Sequence, residues 1–314
     1  MNKAKFVWDP NSNQTFTPAD GNMNTPLTGP AESFNKNEGF GLNTTGELFI
    51  DVSDSGMTVW GSPTPNPPID ETVFKILPDT GSLRVASPGS LAIGEAFGDL
   101  AVKVIMEVAH ANGSGDNSDP LHEREGLGIS VNRVVFGNVE INISNRSGLQ
   151  MLGTQFGDFS YLKIDNAKIS VTGKSYCHIT PNAGEKSIDI MNFDLSLSDN
   201  SWAYMDSMSF LDGGTAKFSS IATSDDDSPI FYLFDFNFID DTYQKDLFSI
   251  VTHNGNNKGG FTFFGIGSSF SLTAFIDKRL LSIDGNDDPN YLWSRINRDS
   301  AVIYKDGNLN IRLK

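Results

Sequence analysis

Cysteine is nearly absent: Cys177 is the lone one in 314 residues. That excludes an intramolecular disulfide framework and a multi-cysteine metal site, and Cys177 itself is expected in the core and not as a nucleophile. No apolar run is long enough to span a bilayer. Positive charge is scarce, with 23 Lys and Arg against 39 Asp and Glu and a formal net charge of −16. Nucleic acid and anionic membrane both call for a basic surface, so neither is an expected partner; the balance suits solubility or a cation-rich exterior. The four histidines, His110, His122, His178 and His253, show no metal-ligand spacing. No Ser, His and Asp arrangement reads as a triad, so no reaction is legible.

What the chain has in quantity is turn formers and aromatic residues, with 30 Gly and 23 Phe, which suit short strands and many turns. One pattern is written three times. Phe136-Gly-Asn138-Val139-Glu-Ile141-Asn-Ile143 returns as Ile164-Asp-Asn166-Ala167-Lys-Ile169-Ser-Val171 and as Ile190-Met-Asn192-Phe193-Asp-Leu195-Ser-Leu197, each followed by a serine (Ser147, Ser175, Ser201). The Asn positions lie 28 and then 26 residues apart, a period that marks stacked repeats. Alternation of apolar residues inside each copy makes the unit a strand. The reading is all-β: a right-handed parallel β-helix with about three strands per rung, an irregular N-terminal β cap and a C-terminal β-hairpin cap. Residues 1–38 read as an extended arm, 39–120 as an irregular cap or first rungs, 121–285 as the β-helix and 286–314 as the cap, with a hairpin around Lys305–Asn308. The positions between the apolar ones carry Glu140, Lys168, Asp194 and, in a looser fourth copy, Lys217. Signs alternate along that column, as adjacent parallel strands favour. Asn138, Asn166 and Asn192 are expected either as an inward amide ladder or as ordinary turn residues.

Aligning the third strand on Ser147, Ser175, Ser201 and Ser228 places Tyr176, His178, Trp202, Tyr204 and Phe231 on the outside. Such an aromatic stripe is a candidate binding surface, because exposed rings grip sugars or protein partners. The stripe being covered by the N-terminal arm, or a parity error of one residue, would remove it. Beside it lie Asp199 and the run Asp225–Asp227. Paired carboxylates next to sugar-binding rings suit a glycoside hydrolase, which makes Asp199, Asp226 and Asp227 the alternative catalytic residues; the same oxygens suit Ca²⁺. A weaker Ca²⁺ candidate is Asp284, Asn286 and Asp288, which have the spacing that opens a calcium loop. Pro289 and Arg295 stand where that motif needs Gly and Glu, which favours a plain turn.

Over residues 125–280 the rungs resemble those of bacterial and phage right-handed β-helix proteins: autotransporter passengers, filamentous adhesins and tailspikes. The resemblance is architectural, so no family site is carried over. It implies an extracellular, cell-surface or phage-particle location, although Met1–Pro10 has charges without the apolar segment of a signal peptide and a cytoplasmic location stays open. The expected function is a non-enzymatic structural or adhesive solenoid binding glycan or protein, or assembling with itself as a trimer or filament. The alternative is a polysaccharide-degrading enzyme of tailspike or pectin-lyase type.

Overall fold

The computed structural model describes residues 139–144, 146–152, 161–180, 188–206, 208–234, 245–265, 271–298 and 308–314, together with the backbone of ten strands between residues 14 and 136. Those ten are β1 (Gln14–Phe16), β2 (Met23–Leu27), β3 (Ser33–Phe34), β4 (Phe40–Leu42), β5 (Glu47–Val52), β6 (Met57–Trp60), β7 (Glu71–Ile76), β8 (Ser82–Ile93), β9 (Lys103–Ala109) and β10 (Gly126–Phe136). Next come β11 (Val139–Ser144), β12 (Gly148–Leu152), β13 (Tyr161–Val171), β14 (Tyr176–Thr180), β15 (Ile188–Ser198), β16 (Trp202–Asp206), β17 (Met208–Ile221) and β18 (Ile230–Phe234). The chain continues through β19 (Phe248–Val251), β20 (Gly260–Phe264), helix α1 (Leu272–Asp277), β21 (Leu281–Ile283), helix α2 (Pro289–Arg295) and β22 (Leu309–Ile311).

From β4 to β21 each strand pairs in parallel with the one a full turn earlier, which builds a β-solenoid with three faces. The first runs β2–β5–β8–β10–β12–β14–β16–β18–β20. The second joins β3, β6 and the later half of β8 to parts of β10, β13, β15 and β17. The third runs β1–β4–β7–β9–β11–β13–β15–β17–β19–β21. The stretch expected to be an extended N-terminal arm therefore contributes β1–β3 to the first rung. The segment from Leu100 to Val108 is a strand, not a helix, over its described part.

Inside, the columns are those the alternation predicts. Val139, Ile141 and Ile143, then Ala167, Ile169 and Val171, then Phe193, Leu195 and Leu197 are all buried and in register. Between them Glu140, Lys168, Asp194 and Lys217 form one continuous outward column, which Lys217 extends by an ion pair to Asp246 at 2.9 Å. The asparagines are not an inward ladder: Asn166 and Asn192 are neighbours but exposed, and Asn138 lies outside the described residues.

The buried polar ladder is made of serine. Ser147, Ser175 and Ser201 are each at most 1% exposed. Each closes a tight turn, with its N–H donating to the carbonyl three residues back (Ser144, Thr172, Ser198). Positive φ at Arg146, Gly173, Lys174 and Asp199 makes these turns tight enough to stack. Ser147 N also reaches Ser175 Oγ at 3.2 Å, and Ser201 Oγ lies 2.6 Å from the Ser198 carbonyl and 3.0 Å from that of Val171, so the buried hydroxyls find backbone partners within and between rungs.

Towards the C-terminus the interior becomes aromatic, with Phe218, Phe231, Phe248, Phe261, Phe263 and Phe275 fully buried. Burial of one such ring is worth about 1.5–3 kcal/mol. Phe275 and Ile276 sit on the buried side of α1. β22 pairs antiparallel with β20 and ends the parallel stacking of that face. It is the later arm of the expected terminal hairpin; the earlier arm, Ala301–Tyr304, lies outside the described residues. Arg312 fastens β22, donating to Phe261 O at 2.7 Å and Thr262 Oγ1 at 2.9 Å.

The charge column supplies a test. Lys168→Glu would leave three carboxylates in adjacent rungs and should cost about 0.5–1 kcal/mol in urea unfolding at low salt, with the loss shrinking as salt is added. An equal loss in Lys168→Gln would show that packing, not charge, is responsible.

Candidate functional site

The first face carries the candidate site, because its outward positions from β14 to β20 collect rings. Tyr176, Trp202 and Ile230 share one column. His178, Tyr204, Tyr232 and Thr262 share the next, and Asp206, Phe234 and Phe264 the third. All of these side chains except Thr262 are half-buried and outward, alternating with buried Cys177, Ala203, Phe231 and Phe261 and their neighbours.

Phe231 is therefore a correction. It is fully buried, and Ile230 and Tyr232, expected inside, take the outer positions. The cause is one residue of register. Ile230 N donates to Ser201 O as Trp202 N does to Ser175 O, so Pro229, not Ser228, is level with Ser201. The loop before β18 is longer than the preceding turns, and a slip of one residue exchanges the two faces of a strand.

The rings contact one another across rungs. Tyr176 and Trp202 stack with centroids 5.0 Å apart and planes 12° apart. His178 meets Tyr204 edge-on at 4.6 Å. Tyr204 stacks on Phe234 at 4.5 Å, Phe234 on Phe264 at 4.2 Å, and Tyr232 reaches Phe264 at 6.4 Å. Parallel rings touch at about 3.5 Å, so a 5.0 Å centroid distance means lateral offset. The rings overlap like shingles, and each offset leaves part of a face open. At the lower end Tyr176 lies over Gly148: a Cβ there would sit 2.1 Å from Tyr176 Cζ, so only glycine admits the ring. Burial lowers the His178 pKa below its ordinary value, although the Asp206 carboxylate pulls it back up, so the imidazole is neutral at pH 7.

The loop carboxylates have structural work. Asp227 is buried and accepts from Thr223 N, Thr223 Oγ1 and Ser224 N on Oδ2 (2.7, 2.8 and 2.7 Å) and from Ser224 Oγ on Oδ1 at 2.7 Å. Burial pushes its carboxyl up, but the hydrogen bonds from Ser224 and Thr223 outweigh it and hold the group below the usual carboxylate range. Asp199 accepts from Gly173 N at 2.8 Å, and its Oδ1 lies 2.7 Å from Thr223 Oγ1, so Asp199 and Asp227 share the single Thr223 hydroxyl proton within the turn stack. Asp226 is exposed and pairs with Lys258 at 2.6 Å. A general acid in a glycosidase needs a raised pKa. Asp227 has the opposite, and its oxygens are already engaged.

The weaker calcium candidates are turn and cap residues. Asp284 and Gly285, both at positive φ, form a tight turn whose carboxylate accepts from Thr252 N and Oγ1 at 2.7 and 2.8 Å. Asn286 Oδ1 accepts from Asp288 N at 2.9 Å, and Asp288 caps α2 by accepting from Tyr291 N at 3.0 Å. Among the described residues no group of three or more His, Cys, Asp or Glu is placed to hold a metal ion. Cys177 is buried, and burial drives its thiol far above the ordinary value, which keeps it protonated and unreactive. No described helix is long and apolar enough to cross a membrane.

Sequence reasoning missed Tyr232, Phe234 and Phe264 as surface residues. The Phe-rich run hid its parity because nearly every position is apolar. It also missed α2, although Asp288 followed by Pro289 is a cap-and-first-turn signal.

The fold and this flank define the class: a parallel β-solenoid with one aromatic side. Comparison with family models, curated proteins and solved structures gives no match to the chain.

The Asp227 staple can be checked by pH. Because its folded pKa is depressed, its stabilisation is present above the unfolded carboxylate pKa and is lost as pH falls through the folded value. Asp227→Asn should flatten the acid side of the stability profile and cost about 1–2 kcal/mol at pH 7. A profile of unchanged shape would show that the carboxylate charge is not what holds the loop.

Proposed function

We propose that this chain is a non-enzymatic, extracellular structural or adhesive β-solenoid that binds carbohydrate through its aromatic flank. The observation that carries the reading is two neighbouring offset stacks of half-buried rings on one face, Tyr176 with Trp202 and Tyr204 with Phe234 and Phe264. Offset rings leave strips of face for the C–H groups of a sugar, and the phenol and indole edges add hydrogen-bonding groups. A rigid sheet holds the rings, so little ordering entropy opposes binding. The loop carboxylates serve turns and ion pairs, which supports binding without hydrolysis.

Trp202→Ala and Tyr204→Ala should each weaken retention on immobilised polysaccharide about tenfold or more while leaving the circular dichroism spectrum unchanged. A folded double variant that is retained like the parent would sink the proposal. Release of reducing ends from a retained polysaccharide would instead favour the hydrolase alternative.

A further inference from the structure

Deepening the carbohydrate reading, on which it rests, we infer that the ligand is an uncharged, extended polysaccharide segment laid obliquely across the rungs along Tyr176, Trp202, Tyr204, Phe234 and Phe264. Two ring contacts, Tyr176–Trp202 and Phe234–Phe264, run up a column, Tyr204–Phe234 steps across one column, and Trp202 and Tyr204 are same-side neighbours on β16. Tyr176 and Trp202 occupy the first outward position of successive rungs. Tyr204 is the second outward position of the Trp202 rung, and Phe234 and Phe264 are the third outward positions of the two rungs above. The aromatic band thus climbs three rungs while moving two outward positions sideways. With about 4.8 Å between strands and about 6.7 Å between same-side residues, its diagonal is about 20 Å, on the order of four sugar units.

The size of the patch separates this occupant from a protein. Three outward columns over four rungs, at about 32 Å² per position, cover roughly 400 Å², half of the about 800 Å² per partner in a specific protein interface. Charge separates it from an acidic glycan. Among the described residues, Asp206 lies in the band's third column and Arg312 beside Thr262, while Lys174, Asp199 and the Asp226–Lys258 pair sit on the turns that lead into the same strands. These charges are of both signs and none belongs to a ring of the band, and the chain as a whole, at −16, repels polyanions.

Calorimetric titration of the full chain with gluco-, manno- and chito-oligosaccharides of two to eight units, and with a polyuronate, tests the inference. In the series that binds, affinity should rise about tenfold or more from two to about four units and then level off, and the polyuronate should not bind. Tyr176→Ala and Phe264→Ala, at the two ends of the band, should each weaken a six-unit chain and leave a two-unit chain unchanged, while Tyr176→Phe keeps the parent affinity. Length-independent affinity would overturn the extended mode but leave the carbohydrate reading standing. Tighter binding of the polyuronate would overturn the uncharged assignment. Failure of every saccharide, with self-association lost in Trp202→Ala, would overturn both in favour of a second copy as the occupant. The length series needs no variant, so it decides the matter even if a ring substitution unfolds the protein.

Discussion

Parallel, in-register stacking of each strand on the one a turn below is the constraint on which the rest of this molecule depends. Strand spacing of about 4.8 Å is too short for two unrelated side chains to ignore each other. Every column must therefore be compatible with itself, inside and out. Inside, that means apolar columns such as Ile141–Ile169–Leu195–Phe218. Outside, it means alternating charge from Glu140 to Lys217, and rings that overlap instead of colliding on the first face. At the corner it means turns whose last N–H and serine hydroxyl repeat at Ser147, Ser175 and Ser201.

Stacking also explains why the interior changes character along the chain. Cys177 and Ala203, small residues, stand one above the other on the first face, and the bulk is supplied from the third face by Phe193 and then Phe218, which meet edge-on with centroids 5.6 Å apart. Above them, Phe231 and Phe261 enter from the first face and Phe248 from the third, meeting edge-on or stacked at 5.0–5.6 Å. An interior built of rings has no simple parallel continuation. The top of the coil closes with α1, whose Phe275 reaches Phe263 at 4.9 Å, and with β22 turned antiparallel across β20. An open end would present both a sheet edge and apolar core to solvent.

Much of this was legible in the sequence where period two and the repeat length agreed. Residues 139–143, 167–171 and 193–197 have polar residues at every second position, so inside and outside are separated without ambiguity. The same logic named Tyr176, His178, Trp202 and Tyr204 as outward. It failed at Phe231 because the loop 222–229 replaces a short turn, and the parity of β18 depends on that loop, not on the repeat. In Ile230-Phe-Tyr-Leu-Phe234 apolar side chains fill nearly every position, and only pairing with β16 decides which face is which. The serines were visible as markers but not as a buried ladder, since a hydroxyl that faces a carbonyl inside looks, in one dimension, like any turn residue.

The carboxylates show how the same stacking separates structural acid groups from chemical ones. A turn that leaves N–H groups pointing at one another needs an acceptor, and Asp is short enough to supply it without leaving the corner. Asp199, Asp227 and Asp284 each do this, receiving backbone N–H donors from Gly173, Thr223 and Ser224, and Thr252. At Asp227 these hydrogen bonds stabilise the ionised form and hold the carboxyl below the usual range. Each rung that adds such a turn engages its carboxylate in the corner. The aromatic face behaves in the reverse way: shingling satisfies part of each ring and leaves the rest exposed at a spacing set by the backbone. Exposed ring face on this scaffold thus lies where stacking is incomplete, on the flank of rings, while the carboxylates are engaged at the corner where it is complete.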